Sequence, residues 1–247
     1  MDRLIYTAMT GASHVLEQQA AVAENLANAS TTGFRATLNS FRAVPLQGEG
    51  LPTRTFVVDA TVGSDYSQGA IQQTGNPLDV AVQGSGWIAV QGADGKEAYT
   101  RDGSFKVSPN GILQTQTGLS VLGDTGPITI PPDTEVTIAK DGTISTVPSG
   151  SNATEVVIVG RLKLVNPPVA RLDRGGDGLF RQKNGLPAKA DANIEVAPGS
   201  LETSNVNPVD ALVNMISLAR NFDMQMKMLQ TADTNAQHAT AVLTVAS

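Results

Sequence analysis

With 247 residues, 40% of them hydrophobic, the chain can bury a core as one sizeable domain or two small ones. A net charge of -6 with no Lys/Arg cluster argues against a nucleic-acid partner, and the absence of cysteine excludes a disulfide framework and a thiolate zinc site. Charged residues make up 16%, below the roughly 25% usual for soluble domains, so much of the surface is expected to face other protein.

Turn formers are unevenly spread. All 13 prolines lie from Pro45 to Pro208, and of the 24 glycines only Gly11 and Gly33 precede Gly48 while none follows Gly199. Both ends therefore lack helix breakers and the middle is full of them. At the start, Leu4, Ala8, Gly11, Val15, Val22, Leu26 and Ala29 recur at three- and four-residue spacings, which predicts a helix over about 2–29 with one apolar stripe. The opening residues carry an early acid and no apolar run, and no stretch approaches the 18 or so apolar residues of a membrane span, so neither a Sec-type signal nor membrane insertion is expected.

Residues 36–75 read as a connecting segment and 76–204 as a β-rich domain. β-Branched runs split by turn signals mark strands at Thr55 to Val58, Leu78 to Val82, Trp87 to Gln91, Val156 to Val165 and Ile194 to Ala197. Asp94-Gly95, Asp102-Gly103 and Asn110-Gly111 are hairpin dipeptides at regular spacing, with Asp141-Gly142 and Asn184-Gly185 further on, which suggests an antiparallel meander.

The last element begins with Asn207 as cap, Pro208 at the first helical position and Asp210 in the first turn, where its charge suits the helix dipole. Leu212, Ile216, Ala219, Phe222, Met226, Leu229, Ala236 and Leu243 carry an apolar stripe almost to the C-terminus. Two such helices each need a cover, and packing them together supplies it. The expected fold is α+β: the two terminal helices paired as a coiled-coil-like domain, 1–35 with 205–247, and a central antiparallel β domain. The remaining helix faces carry uncharged polar residues such as Gln18, Asn214, Ser217 and Gln225, which favours burial against neighbouring subunits over solvent.

Signals for chemistry are weak. His14 and His238 sit on the terminal helices, and Ser13 beside His14 points to another face. Gly84-Ser85-Gly86 is followed by a strand instead of a helix, and Leu172 to Gly178 lacks the acid spacing of a calcium loop. No catalytic residue, cofactor or metal is expected. The rival classes are a β-rich secreted enzyme and a binding module with helical arms.

Three separated stretches resemble the bacterial flagellar rod and hook proteins. They are Asn25-Leu26-Ala27-Asn28-Ala29-Ser30-Thr31-Thr32-Gly33-Phe34-Arg35, then 78–87 with Tyr99-Thr100-Arg101-Asp102-Gly103, then Gly199-Ser200-Leu201-Glu202-Thr203-Ser204-Asn205 with 215–223. Within the family the opening Met1 to Ala12 is most similar to proximal rod proteins, with distal rod proteins next. The resemblance implies a structural subunit that polymerises through its terminal helices into an axial shaft transmitting torque. It also implies export through the flagellar type III apparatus to the periplasmic part of the basal body, with copies of itself and other rod and axial proteins as partners. Assembly or helix pairing is assigned to Leu4, Ala8, Val15, Val22, Asn25, Leu26, Asn28, Gly33, Phe34, Leu212, Ile216, Ala219, Phe222, Met226 and Leu229.

Overall fold

The computed structural model describes residues 2–45, 55–148 and 156–245; the side chains of Leu4 and Leu243, named for the helical stripes, lie outside the described set. The chain is α+β, with a helix at each end and a β-rich middle. It divides into two compact units, one made of 1–29, 36–65 and 206–247, the other of 30–35 and 66–205.

The first unit holds helix α1 (Asp2–Ala27), helix α2 (Pro208–Val245) and a long two-stranded hairpin, Thr37–Pro45 paired antiparallel with Thr55–Ser64. α1 and α2 pack against each other. Asn207 caps α2 as expected: its Oδ1 accepts the Val209 amide at 3.0 Å, and its carbonyl takes the first intrahelical bond from Ala211 at 3.0 Å. Pro208 follows at the one position where a missing N–H costs nothing. At the C-terminal end of α1, Asn28 Nδ2 donates back to the Glu24 carbonyl at 2.9 Å, the same carbonyl that accepts the Asn28 backbone N–H at 3.1 Å. Asn25 bonds Thr37 in both directions, donating to its carbonyl at 2.9 Å and accepting its amide at 2.7 Å, and so fixes the hairpin to the helix.

The second unit is antiparallel β throughout its paired strands. Its largest sheet runs Leu164–Val165, Trp87–Gln91, Glu97–Thr100, Phe180–Gln182, Leu172–Arg174 in spatial order. Trp87–Gln91 lies inside this sheet and is buried on both faces: Ile88 joins one apolar cluster with Phe105, Leu113, Ile144 and Leu162, while Trp87 and Ala89 join another with Tyr99, Leu172 and Phe180. Thr134–Ile138, Thr143–Pro148 and Val157–Arg161 form a small meander in which Val136, Ile138, Ile144 and Thr146 point inward by strand alternation.

Three of the hairpin dipeptides turn as expected. Gly95, Gly111 and Gly142 have positive φ and join the strands on either side of them. Asp102-Gly103 does not, because the strands flanking it belong to different sheets. Gly103 is there for contact: a Cβ on it would stand 1.7 Å from the Val80 carbonyl oxygen. Asn184-Gly185 makes a turn closed by Gly185 N–H on the Gln182 carbonyl without starting a paired strand. The sheets are also not one meander. Val196–Pro198 returns to pair with Val80–Val82, and Ser200–Glu202 with Ile71–Gln73, so sequence-distant segments close the unit.

Candidate assembly surface

On α1 the covered positions include Ala8, Gly11, Val15, Gln18, Val22 and Asn25, a line at alternating three- and four-residue steps, with Ala12 buried beside it. On α2 the corresponding line is Ala211, Met215, Leu218, Phe222, Gln225, Leu229, Ala232 and Ala236. Ala8, Gly11 and the neighbouring Ala12 make the first part of the α1 line small. Gly11 lies opposite Gln225: a Cβ on Gly11 would stand 3.4 Å from Gln225 Cδ and Oε1.

The α2 line differs from the expected stripe. Phe222, Leu229 and Ala236 are on it and Ala219 is beside it, but Leu212, Ile216 and Met226 are outside it and exposed, and Gln225, read as an outer-face residue, is on it. The reason is that α2 has two apolar sides. Val209, Leu212, Val213 and Ile216 are 66, 48, 56 and 54% exposed and recur at the same steps on the side opposite the covered line. Choosing the most apolar stripe identifies the inward face only when the other face meets water. Beyond Ile216 this outer side turns charged, with Arg220, Asp223 and Lys227. On α1, Tyr6, Met9 and Leu16 are likewise exposed. Solitary exposed apolar residues are ordinary, but contiguous rows of them mark an interaction surface.

In the β unit, Gly33 and Phe34 are internal. Gly33 has φ +66° and sits so close to the Arg101 backbone that a Cβ would lie 2.3 Å from it. Phe34 is buried, with the Arg174 guanidinium 4.6 Å above its ring. Beside them lies a group that the pattern of the sequence did not show. Glu202, 1% exposed, places Oε1 2.7 Å from Arg35 Nη2 and Oε2 2.8 Å from Arg101 Nη1. It also accepts the Gly69 amide at 2.9 Å, and Arg101 donates to the carbonyls of Val82 at 3.2 Å and Gly84 at 2.6 Å. Burial lowers the pKa of Arg101, and the Glu202 carboxylate offsets part of that. Two cations share one anion, and Arg35 Nε and Nη1 and Arg101 Nε are buried without hydrogen-bond partners among the described residues. Such a group is costly to assemble and costlier to leave half-made.

No cluster of three or more His, Cys, Asp or Glu side chains is placed to hold a metal among the described residues, and no described helix is long and apolar enough to cross a membrane. His14 contacts Glu17 on its own helix at 3.2 Å.

Comparison with known proteins decides the family. The flagella basal body rod protein family matches residues 5–35, the flagellar hook protein FlgE/F/G D1 domain matches 81–146, and the flagellar basal body rod FlgEFG protein C-terminal family matches 197–242. The flagellar basal-body rod protein FlgF of Escherichia coli K12 is 51% identical over 99% of the chain and 100% of its own length. FlgF of Salmonella typhimurium LT2 is 49% identical over the same shares, and FlgG of Buchnera aphidicola from Acyrthosiphon pisum is 34% identical over 86% of the chain and 88% of its own length. The chain belongs to the flagellar basal-body rod proteins. It is accordingly a structural component of the basal-body rod, not an enzyme. Each of the three matched stretches of this rod protein contributes one member of the buried ion group: Arg35 ends the first, Arg101 lies in the second and Glu202 in the third.

Proposed function

We propose that this rod protein is a proximal rod subunit whose two ends pair as a coiled coil and polymerise with copies of themselves and with other rod and axial proteins into the drive shaft. The observation that carries the polymerisation is the uncovered row Val209, Leu212, Val213, Ile216 on the side of α2 away from its covered line. The alternating steps of both covered lines support knobs-into-holes pairing. A row of one kind on α2 and another on α1 makes a head-to-tail contact between unlike patches, which extends into a helical array when its rotation does not close. The proximal place is supported by the opening residues and by the identity of 51% with a FlgF protein over nearly the whole chain, against 34% for the FlgG protein above. In the same reading the chain travels through the flagellar type III export apparatus and works in the periplasmic space.

The chain has no cysteine, so single cysteines report cleanly on contacts. Ile216→Cys paired with Leu16→Cys or Met9→Cys should give cross-linked multimers in purified basal bodies and none in dilute monomer. Basal bodies in which the thiol introduced at position 216 cross-links to nothing would overturn the assignment of this face to assembly.

A further inference from the structure

The chain passes between its two units four times, at 29/30, 35/36, 65/66 and 205/206, and the segments of the β unit beside these passages are bonded to one another. Gly33 N–H donates to the Glu202 carbonyl at 2.8 Å, Asn205 N–H to the Phe34 carbonyl at 3.3 Å, and Asn205 Nδ2 to the Ser67 carbonyl at 3.1 Å. The Glu202 carboxylate completes the junction by holding the Gly69 amide, Arg35 and Arg101 at once, and Arg101 carries the connection to the backbone of the buried strand Val80–Val82 and the turn after it. A bond network at the entry and exit segments of a unit lies in series with any force carried through those segments. Strands meeting along only a few residues would otherwise open one bond at a time.

We propose that the Arg35–Glu202–Arg101 group is a mechanical clasp: it fastens the entry and exit segments into one anchor, so that load arriving through the chain passages reaches the β core together and does not unzip them singly. The clasp is buried, hence shielded from salt, and each guanidinium meets a different oxygen of one carboxylate, so partial opening strands a charge away from water. That makes its opening all-or-none. The mechanical purpose rests on the reading of the chain as a rod subunit, whereas its test needs only the purified full chain.

The experiment is single-molecule pulling with handles at Ser30→Cys and Val209→Cys, which loads the entry and exit segments, against handles at the exposed turns Asp94→Cys and Asn184→Cys. With Glu202→Gln, the lifetime under a given load at the first pair is expected to fall roughly 100-fold, the cost of breaking a buried pair expressed as a rate. The lifetime at the second pair is expected to stay the same. Hydrogen exchange at Ile88 and Tyr99 verifies that the β core remains folded. Should the Gln variant lose that protection, Arg101→Lys takes its place under the same criterion, because lysine keeps the charge but cannot reach Glu202, Val82 and Gly84 together. Equal lifetimes at the first pair for parent and variant, or equal losses at both pairs in a folded variant, would refute the clasp. Either result leaves the place of the chain in the rod to be decided by motility.

Discussion

Gln225 sets its side-chain amide against the bare Cα of Gly11, with 3.4 Å between its Cδ and the place a Cβ would occupy. The contact is close but ends in a flexible side chain, so an alanine fits and a larger residue does not. Gly11→Ala should stabilise the helical unit by up to about 1 kcal/mol through helix propensity. Gly11→Leu should cost about 1–3 kcal/mol by overpacking. Thermal unfolding followed by helical circular dichroism, with exchange of the α1 amides, distinguishes them; equal behaviour of the two variants would place Gly11 off the seam.

Two substitutions on α2 should act in opposite ways. Ile216→Asp alters the uncovered side, so the monomer should keep its helical stability within about 0.5 kcal/mol, while incorporation into rods and motility are lost. Gln225→Glu puts a charge on the covered line, where desolvation disfavours it. Helix pairing in the monomer should weaken, and this loss should diminish at acid pH as the new carboxyl is neutralised. Monomer stability and swarming of complemented cells measure both, and an Ile216→Asp chain that still builds rods would remove the outer row from the interface.

The contrast between these two positions shows what was legible in the residues. The ends announced themselves because glycine and proline avoid them, and the inner face of α1 was legible in the line Ala8, Gly11, Val15 and Val22, although Tyr6, Met9 and Leu16 are apolar outside it. α2 has two apolar sides, and nothing in a single chain says which of them a neighbour will take. The ion group was hidden for another reason. Arg35, Arg101 and Glu202 lie in three stretches far apart in the chain, and their burial arises only when those segments close on one another, 101 residues apart in the case of Arg101 and Glu202. Periodicity reports only on contacts within an element. Within 36–75 the β-branched run at Thr55 to Val58 was legible as a strand but its partner 37–45 was not, because register depends on a partner that local patterns do not name.

Tyr99 provides a pH test of the β unit. Its hydroxyl accepts the Ala188 amide at 2.7 Å and donates to Glu97 Oε1 at 3.0 Å. Burial chiefly, offset by the Ala188 bond and reinforced by the Glu97 charge, pushes its pKa from 10.0 up to about 12. The folded state therefore holds the phenolic proton more tightly than the unfolded state. This contribution is full below pH 10 and is lost as pH rises towards 12. Tyr99→Phe should cost about 0.5–1.5 kcal/mol at neutral pH by removing these bonds, because the Ala188 amide still donates to Glu97 Oε1 at 3.2 Å, and the variant should lack the alkaline loss. Urea unfolding at several pH values checks both.

Asp102 runs the other way. Burial raises its pKa above 3.8, with Asp79 adding to the rise and the Ser104 amide and Thr32 hydroxyl opposing it. A folded carboxyl that takes up its proton before the unfolded one is a penalty when ionised, present above its folded pKa and relieved as pH falls towards 3.8. Asp102→Asn keeps an oxygen for both donors. It should be at least as stable as the parent at pH 7, with its advantage shrinking in acid; a variant less stable at pH 7 would show that the charge itself is needed.

The most direct measurement is a map of the assembled basal body at side-chain resolution. In that map α1 and α2 of one chain should pair along Ala8, Gly11 and Val15 against Phe222, Gln225 and Leu229, with Val209, Leu212, Val213 and Ile216 covered by a neighbouring subunit. A map in which that row faces solvent, or in which α1 pairs with the α2 of another chain and not its own, would contradict this arrangement.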